Sequence, residues 1–116
     1  MYQQVTIVGN LGSDPTMKYM QDGTAVTTFS VATSKKKKDG EEEVIWWRCS
    51  CFSKQAETAG EYLKKGSRVL VTGELSLPRV YLHESSGEHR CSLELRVGRF
   101  VFLSPKDKPA IDDLTP

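Results

Sequence analysis

The chain has 116 residues, 38% of them hydrophobic and 27% charged, which fits one folded domain and excludes an intrinsically disordered chain. Sixteen basic and 15 acidic side chains give a net charge of +1, which excludes a uniformly basic protein but allows one basic face. No apolar run approaches the roughly 20 residues of a membrane-spanning helix, and the first ten residues lack the pattern of a signal peptide. Three cysteines are too few for a disulfide framework, so we expect a cytoplasmic protein without membrane contact.

Most of the chain has the alternating pattern of β-strands. The segments VTIVGN, AVTTFSVATS and EVIWWRCSCF predict three strands, and a helix is expected from Lys54 to Lys65, with Gly66 as its C′ residue. SRVLVTGEL and CSLELRV predict two more strands, separated by a hairpin with its tip at residues 84–87. The order β-β-β-α-β-β, with one helix in an otherwise all-β chain, predicts the OB-fold, a five-stranded Greek-key barrel.

The composition changes near residue 104. Residues 1–104 contain 14 Lys or Arg and 12 Asp or Glu, whereas residues 105–116 contain two Lys, three Asp and almost nothing to bury. We therefore expect a domain at 1–104 and a short, flexible, acidic tail at 105–116.

The strand that ends at Phe52 contains the strongest chemical signal. Because side chains of a strand alternate between its faces, Trp46, Arg48 and Phe52 share one face, and Trp47 belongs to the opposite face, which is core or subunit interface. Aromatic rings beside a cation form a surface on which unpaired bases stack while a phosphate is neutralised. The alternative is that both rings belong to the core and Arg48 only extends its charged end to solvent.

Two hairpins add positive charge beside this strand. Lys35, Lys36, Lys37 and Lys38 are either phosphate contacts, a solvated loop, or a hairpin neutralised by the three glutamates that follow. The later hairpin contributes Arg79 and Tyr81, and therefore a further cation and a further aromatic ring.

Short motifs follow one another along the chain: residues 8–12 (VGNLG), Asp14-Pro15, Tyr19, residues 29–34 (FSVATS), Trp46-Trp47-Arg48 with Phe52, residues 61–67 (EYLKKGS) and residues 71–75 (VTGEL). In this order they resemble the bacterial single-stranded DNA-binding protein family from residue 2 to about 103. The resemblance implies an OB-fold, assembly as a homotetramer, and sequence-independent binding of single-stranded DNA in replication, recombination and repair. It implies no catalytic activity and no cofactor or metal. It also implies that the protein lies in the cytoplasm, associated with the nucleoid.

The resemblance also assigns roles to residues. Trp46 and Phe52 match stacking positions of the family, and Arg48 matches a phosphate contact. Tyr81 is the best match to the aromatic of the later hairpin, and Val80 and Leu82 are the alternatives because the loop length differs. Lys37 stands near a position where the family has tryptophan. Basic positions of the family are matched by Lys18, Lys54, Lys65 and Arg79, and a position at the subunit interface is matched by Trp47.

The tail departs from the family, whose long linker ends in an acidic tip with a final phenylalanine that docks on replication and repair proteins. Here Asp112, Asp113 and Leu114 resemble that tip, but the chain ends in Pro116. Partner docking by these three residues is therefore an expectation from the resemblance, without the aromatic ring that completes the tip in the family.

Two other functions compete with DNA binding. A nuclease or a zinc site is disfavoured because the acidic residues are scattered and Cys49 and Cys51 form a Cys-X-Cys on a strand, without the usual C-x-x-C turn. An OB-fold module that binds RNA or replication proteins is the alternative that stays open.

Overall fold

The computed structural model describes residues 2–83 and 87–103, without the side chains of residues 79, 81, 83 and 88–92. Within these ranges the chain forms seven strands and one helix. In chain order they are β1 (Val5–Leu11), β2 (Thr16–Tyr19), β3 (Ala25–Lys36), β4 (Glu42–Phe52), α1 (Ser53–Tyr62), β5 (Arg68–Leu75), β6 (Arg79–His83) and β7 (Glu88–Phe102). In the described part of the chain, no helix is long and apolar enough to cross a membrane.

Five of the strands close into a barrel. The order β1-β5-β7-β4-β3 returns to β1, because β3 pairs with β1 through Val31 and Ala32 after it has paired with β2 through residues 25–28. All of these pairs are antiparallel except β4 with β7, which is parallel. The helix follows the third barrel strand, so the predicted five-stranded Greek-key barrel of the OB-fold is confirmed.

The barrel interior is filled by alternate residues of its strands. Phe29, Val31, Cys49, Val71 and Leu95 are each at most 2% exposed. A buried polar group is satisfied locally, since the hydroxyl of Thr27 donates to the carbonyl oxygen of Ala56 at 2.6 Å and so links β3 to α1. The core thus fixes which face of each strand points outward.

The helix is shorter than predicted. It ends at Tyr62 instead of Lys65, and Lys64 and Lys65 follow it, so the predicted helix end and the prediction of Gly66 as C′ residue are wrong. Leu63 already has extended backbone, which lets its side chain enter the core at 4% exposure.

Gly66 instead belongs to the turn that leads from the helix to β5. Its φ of +90° suits the third position of the turn from Lys64 to Ser67, in which the Ser67 N–H donates to the Lys64 carbonyl at 2.9 Å. The Gly66 N–H donates to the Leu11 carbonyl at 2.9 Å, which fixes this turn to the end of β1. Gly66 therefore has the left-handed backbone that its prediction as a C′ residue implies, but it has it in the turn and not at the helix end.

Candidate nucleic-acid interface

The outer face of β4 carries the predicted row of side chains. Cys49 and Cys51 are fully buried, whereas Trp46 is 55% exposed, Arg48 is exposed and Phe52 is half-buried. The alternation predicted for this strand is therefore present. The alternative, with Trp46 in the core, is excluded by its exposure.

Trp46 is supported by backbone from the loop between β1 and β2. A β-carbon built on Gly12 would lie 2.5 Å from Cζ3 and 2.6 Å from Cη2 of the indole, so the ring lies against the α-carbon of this glycine. The Gly12 N–H in turn donates to the Ser30 carbonyl at 3.1 Å, which holds the loop on β3. One side of the indole is thus exposed, and the other packs against the backbone of Gly12, which is held in place by its hydrogen bond to Ser30.

Phe52 is paired with a cation that sequence reasoning missed. The guanidinium carbon of Arg96 lies 5.1 Å from the centre of the Phe52 ring, within the range of a cation–π contact. Arg96 stands opposite Ser50 in the parallel register of β4 and β7, and its side chain is exposed. The alternation of CSLELRV already predicts that Arg96 points outward, but the parallel pairing that brings it to Phe52 could not be read from the sequence.

Arg48 and Lys18 line the same groove. The groove has a volume of ≈ 520 Å³ and lies over β3, between β2 and Arg48. Its other polar lining comes from side chains that can donate or accept hydrogen bonds, namely Ser13, Asp14, Thr16, Tyr19, Thr28 and Ser30. The carboxylate of Asp14 is already engaged, because its Oδ1 accepts the Lys65 N–H at 2.8 Å. The structure therefore brings together Lys18 and Arg48, and it brings the backbone of Lys65 to the edge of the same groove.

The lysine run lies at the far end of the β3–β4 hairpin. Lys35 and Lys36 end β3 opposite Glu43 and Glu42, and the tip turns back through hydrogen bonds between Lys37 and Glu41 and between Gly40 and Lys37. Lys37 Nζ lies 3.6 Å from Glu43 Oε2. Within the described part of the chain, Lys35, Lys36 and Lys38 form no ion pair and are exposed. Of the four lysines, Lys37 is therefore the one whose charge is partly neutralised by a glutamate of the same hairpin.

The other predicted contacts are more scattered. Lys54 is exposed in the first turn of α1, two residues after Phe52. Arg79 and Tyr81 belong to β6, with Tyr81 opposite Arg90, but their side chains are outside those described. The predicted tail residues Asp112, Asp113 and Leu114 also lie outside the described residues.

Trp47 is less exposed than its neighbour. It is half-buried against the core, and its Nε1–H donates to the Thr33 hydroxyl at 3.0 Å. On the same side of β4, Ile45 lies beyond the core and is 42% exposed. The exposed apolar surface on this side of β4 therefore begins at Ile45.

The two cysteines of β4 are buried in the barrel. Among the described residues, no three His, Cys, Asp or Glu side chains are grouped so that they could hold a metal ion. Burial raises the pKa of Cys49 to about 12, with a further contribution from nearby Cys51, and raises the pKa of Cys51 to about 11. Both thiols therefore stay protonated at neutral pH.

Comparison with known proteins agrees with this geometry. The profile of the "Single-strand binding protein family" matches residues 2–103. Two curated relatives, both called single-stranded DNA-binding protein, come from Xanthomonas campestris pv. campestris and Xanthomonas axonopodis pv. citri. They are 51% and 50% identical to this chain over alignments of 76 residues, and the matches cover 62% of the chain. The matched part spans only 44% and 42% of the relatives' own lengths.

Proposed function

The chain belongs to the single-strand binding protein family, and from this membership we propose that it binds single-stranded DNA, largely independently of sequence and without catalysing a reaction. The observation that carries the proposal is the outer face of β4, where the 55% exposed indole of Trp46 shares one row with Arg48 and Phe52. Stacking on aromatic rings is tolerant of sequence because every base has a π-face, and a cation in the same row neutralises a phosphate. The protein then acts by covering unpaired DNA.

The remaining cations extend this surface. Lys18 and Arg48 line one groove, so a strand that stacks on Trp46 meets positive charge beside it. The groove volume of ≈ 520 Å³ lies within the roughly 300–1,000 Å³ of pockets that hold small molecules. We assign phosphate contacts to Lys35, Lys36 and Lys38 as well, and a weaker one to Lys37, which shares its charge with Glu43. Lys54, Lys65, Arg79 and Tyr81 complete the proposed surface on the strength of the family resemblance.

Intrinsic fluorescence provides the direct test. The chain has two tryptophans, of which Trp46 is exposed and Trp47 is half-buried and hydrogen-bonded to Thr33. We expect oligo-dT to quench the emission of the Trp47→Phe variant, which reports Trp46 alone. The matched Trp46→Phe variant should lose most of the quenching. If both variants respond equally, stacking on Trp46 is not the mode of binding.

Competition distinguishes DNA from RNA. Oligo-dT and oligo-rU of equal length should be added to the same labelled complex. Preference for the DNA strand supports the proposal, whereas tighter binding of the RNA strand supports an RNA-binding OB-fold module.

We further propose that the protein works as a homotetramer in replication, recombination and repair, close to the nucleoid. Ile45, at 42% exposure, and Val8, at 49%, give the barrel apolar surface that assembly would cover. In the same family context, Asp112, Asp113 and Leu114 are assigned to the docking of replication and repair proteins. Deletion of residues 105–116 should reduce partner capture but leave DNA affinity within a few-fold.

A further inference from the structure

The contact between Arg96 and Phe52 joins two strands that are distant in sequence. Phe52 ends β4, and Arg96 lies in β7 at the last position where the two strands pair. The guanidinium lies over the ring, 5.1 Å from its centre, and the side chain of Arg96 is exposed. One face of the ring is therefore already occupied by a cation in the protein without DNA.

Arg96 has an acidic neighbour that it does not use. Glu74 stands opposite Arg96 in the register of β5 and β7, and among the described residues Glu74 forms no ion pair. The guanidinium is turned toward β4 instead, onto the proposed DNA face. Its charge is therefore available to a ligand on that face.

The geometry decides which part of a nucleic acid this cation can bind. A guanidinium contacts a ring best through its flat face, and in that arrangement the N–H donors around its edge are left for a planar, bidentate partner. A phosphate presents such acceptor oxygens. A base, in contrast, would have to displace the guanidinium before it could stack on that face of Phe52.

We propose that Arg96 and Phe52 form one phosphate-binding unit, in which the ring holds the guanidinium in place and the guanidinium binds a phosphate of the single strand. The inference rests on the proposed function and adds a contact to it. It changes the role of Phe52 from a bare stacking ring to the support of a cation. Arg48 projects from the same face of β4 as Phe52, so single-stranded DNA bound at this face meets both arginines.

The test measures how DNA affinity depends on salt. Each phosphate neutralised on a single strand contributes about −0.7 to the slope of log affinity against log salt. Arg96→Ala should make the slope for oligo-dT shallower by about 0.7 and weaken binding about fivefold at ~0.1 M salt. Arg96→Lys should keep the slope, but lose about two- to fivefold in affinity because lysine has no planar fork and a weaker contact with the ring.

Arg99→Ala is the matched control. It removes the same charge from the same strand, but Arg99 lies beyond the last β4–β7 pair, opposite Thr72 of β5. Its slope should equal that of the unmodified protein. In a Phe52→Leu background, the difference in affinity between Arg96 and Arg96→Lys should become smaller, because the part of it that comes from the ring is gone. Thermal unfolding of each variant shows whether the fold is intact.

The outcomes separate this inference from the proposed function. If Arg96→Ala leaves the slope unchanged, or binds oligo-dT more tightly, Arg96 only covers the ring and the phosphate-binding unit is wrong. The proposed function stands in that case, provided that the unmodified protein still binds oligo-dT with quenching of Trp46. If the unmodified protein fails to bind oligo-dT, the proposed function itself fails.

Discussion

The indole of Trp46 lies against the α-carbon of Gly12, so closely that a β-carbon at position 12 would approach Cζ3 to 2.5 Å. The two residues are distant in sequence and belong to β4 and to the loop after β1. Gly12 therefore sets the position of the aromatic ring that the proposed binding surface depends on most.

Gly12→Ala should displace the Trp46 ring without unfolding the barrel, because the indole is 55% exposed and has room to move outward. We expect weaker binding of oligo-dT, by at most the roughly 1–3 kcal/mol of one stacked base. In a Trp46→Ala background the same change should have no effect on affinity. Gly98→Ala is the control, since its β-carbon would meet only the Thr72 carbonyl, at 3.5 Å. Equal losses for both glycine variants would contradict the role of Gly12.

Trp46→Ala should weaken the binding of single-stranded DNA by about 1–3 kcal/mol and change the thermal midpoint little. The physical reason is that the ring is largely exposed and contributes little to the core. Titration with oligo-dT and a thermal melt measure the two quantities separately. Normal affinity, or an unfolded variant, would show that the ring does not act as a stacking surface.

The lysines at positions 35–38 should contribute unequally to the salt dependence of DNA affinity. Replacement of Lys35, Lys36 and Lys38 by Gln should make the slope of log affinity against log salt shallower, by up to about 0.7 for each phosphate that the variant no longer neutralises. Lys37→Gln should change it less, because its Nζ lies 3.6 Å from Glu43 Oε2. The thermal midpoint should hardly move, since all four lysines are exposed and an exposed ion pair such as Lys37–Glu43 contributes only about 0.2–1 kcal/mol. If every variant has the same slope as the unmodified protein, these lysines are a solvated loop and do not contact phosphates.

The oligomeric state can be measured directly. Sedimentation at micromolar concentration should give about four times the chain mass of 13.0 kDa. Ile45→Lys should lower this mass, because it introduces a charge at a 42% exposed apolar position outside the core. Ser34→Lys is the matched control and should leave the mass unchanged, since Ser34 is exposed and lies opposite Val44, on the other face of the same hairpin. A monomer for the unmodified chain would contradict the tetramer.

The buried thiols predict a decrease in stability at high pH. Cys49 and Cys51 have folded-state pKa values of about 12 and about 11, above the ordinary value of 9.0, because burial penalises the thiolate. A raised pKa means that the unfolded chain releases these protons first, so their contribution to stability is present below pH 9 and is lost as pH rises toward 11 to 12. Replacing both by Ala should therefore reduce the fall in thermal midpoint between about pH 8 and about pH 10.5, in a Cys91→Ser background. An unchanged fall would show that other groups cause it.

The sequence predicted the local parts of the site well. Alternation along β4 correctly separated exposed Trp46 from buried Cys49, because a core on one side of a strand imposes a period of two. Strand β2 was missed because all four of its residues are exposed and leave no such period. The helix end was misjudged because a glycine with positive φ serves a turn as well as it serves a helix end.

The non-local contacts could not be predicted. The approach of Gly12 to Trp46 and of Arg96 to Phe52 depends on how the strands meet around the barrel, which no local pattern records. A lone glycine in a loop and an outward arginine in a strand have many conceivable neighbours. Their partners become known only once the closed order of strands is known.

The parallel pair of β4 and β7 also governs how the molecule is made. Cys49 pairs with Leu95, so the barrel cannot close until the last strand has been synthesised and has reached a strand formed much earlier. Until then β4 and β5 each have an edge of unpaired peptide groups, which is the kind of surface that joins other chains. Contacts between such distant segments also slow folding. The nascent chain is therefore most prone to aggregation just before its β7 segment emerges.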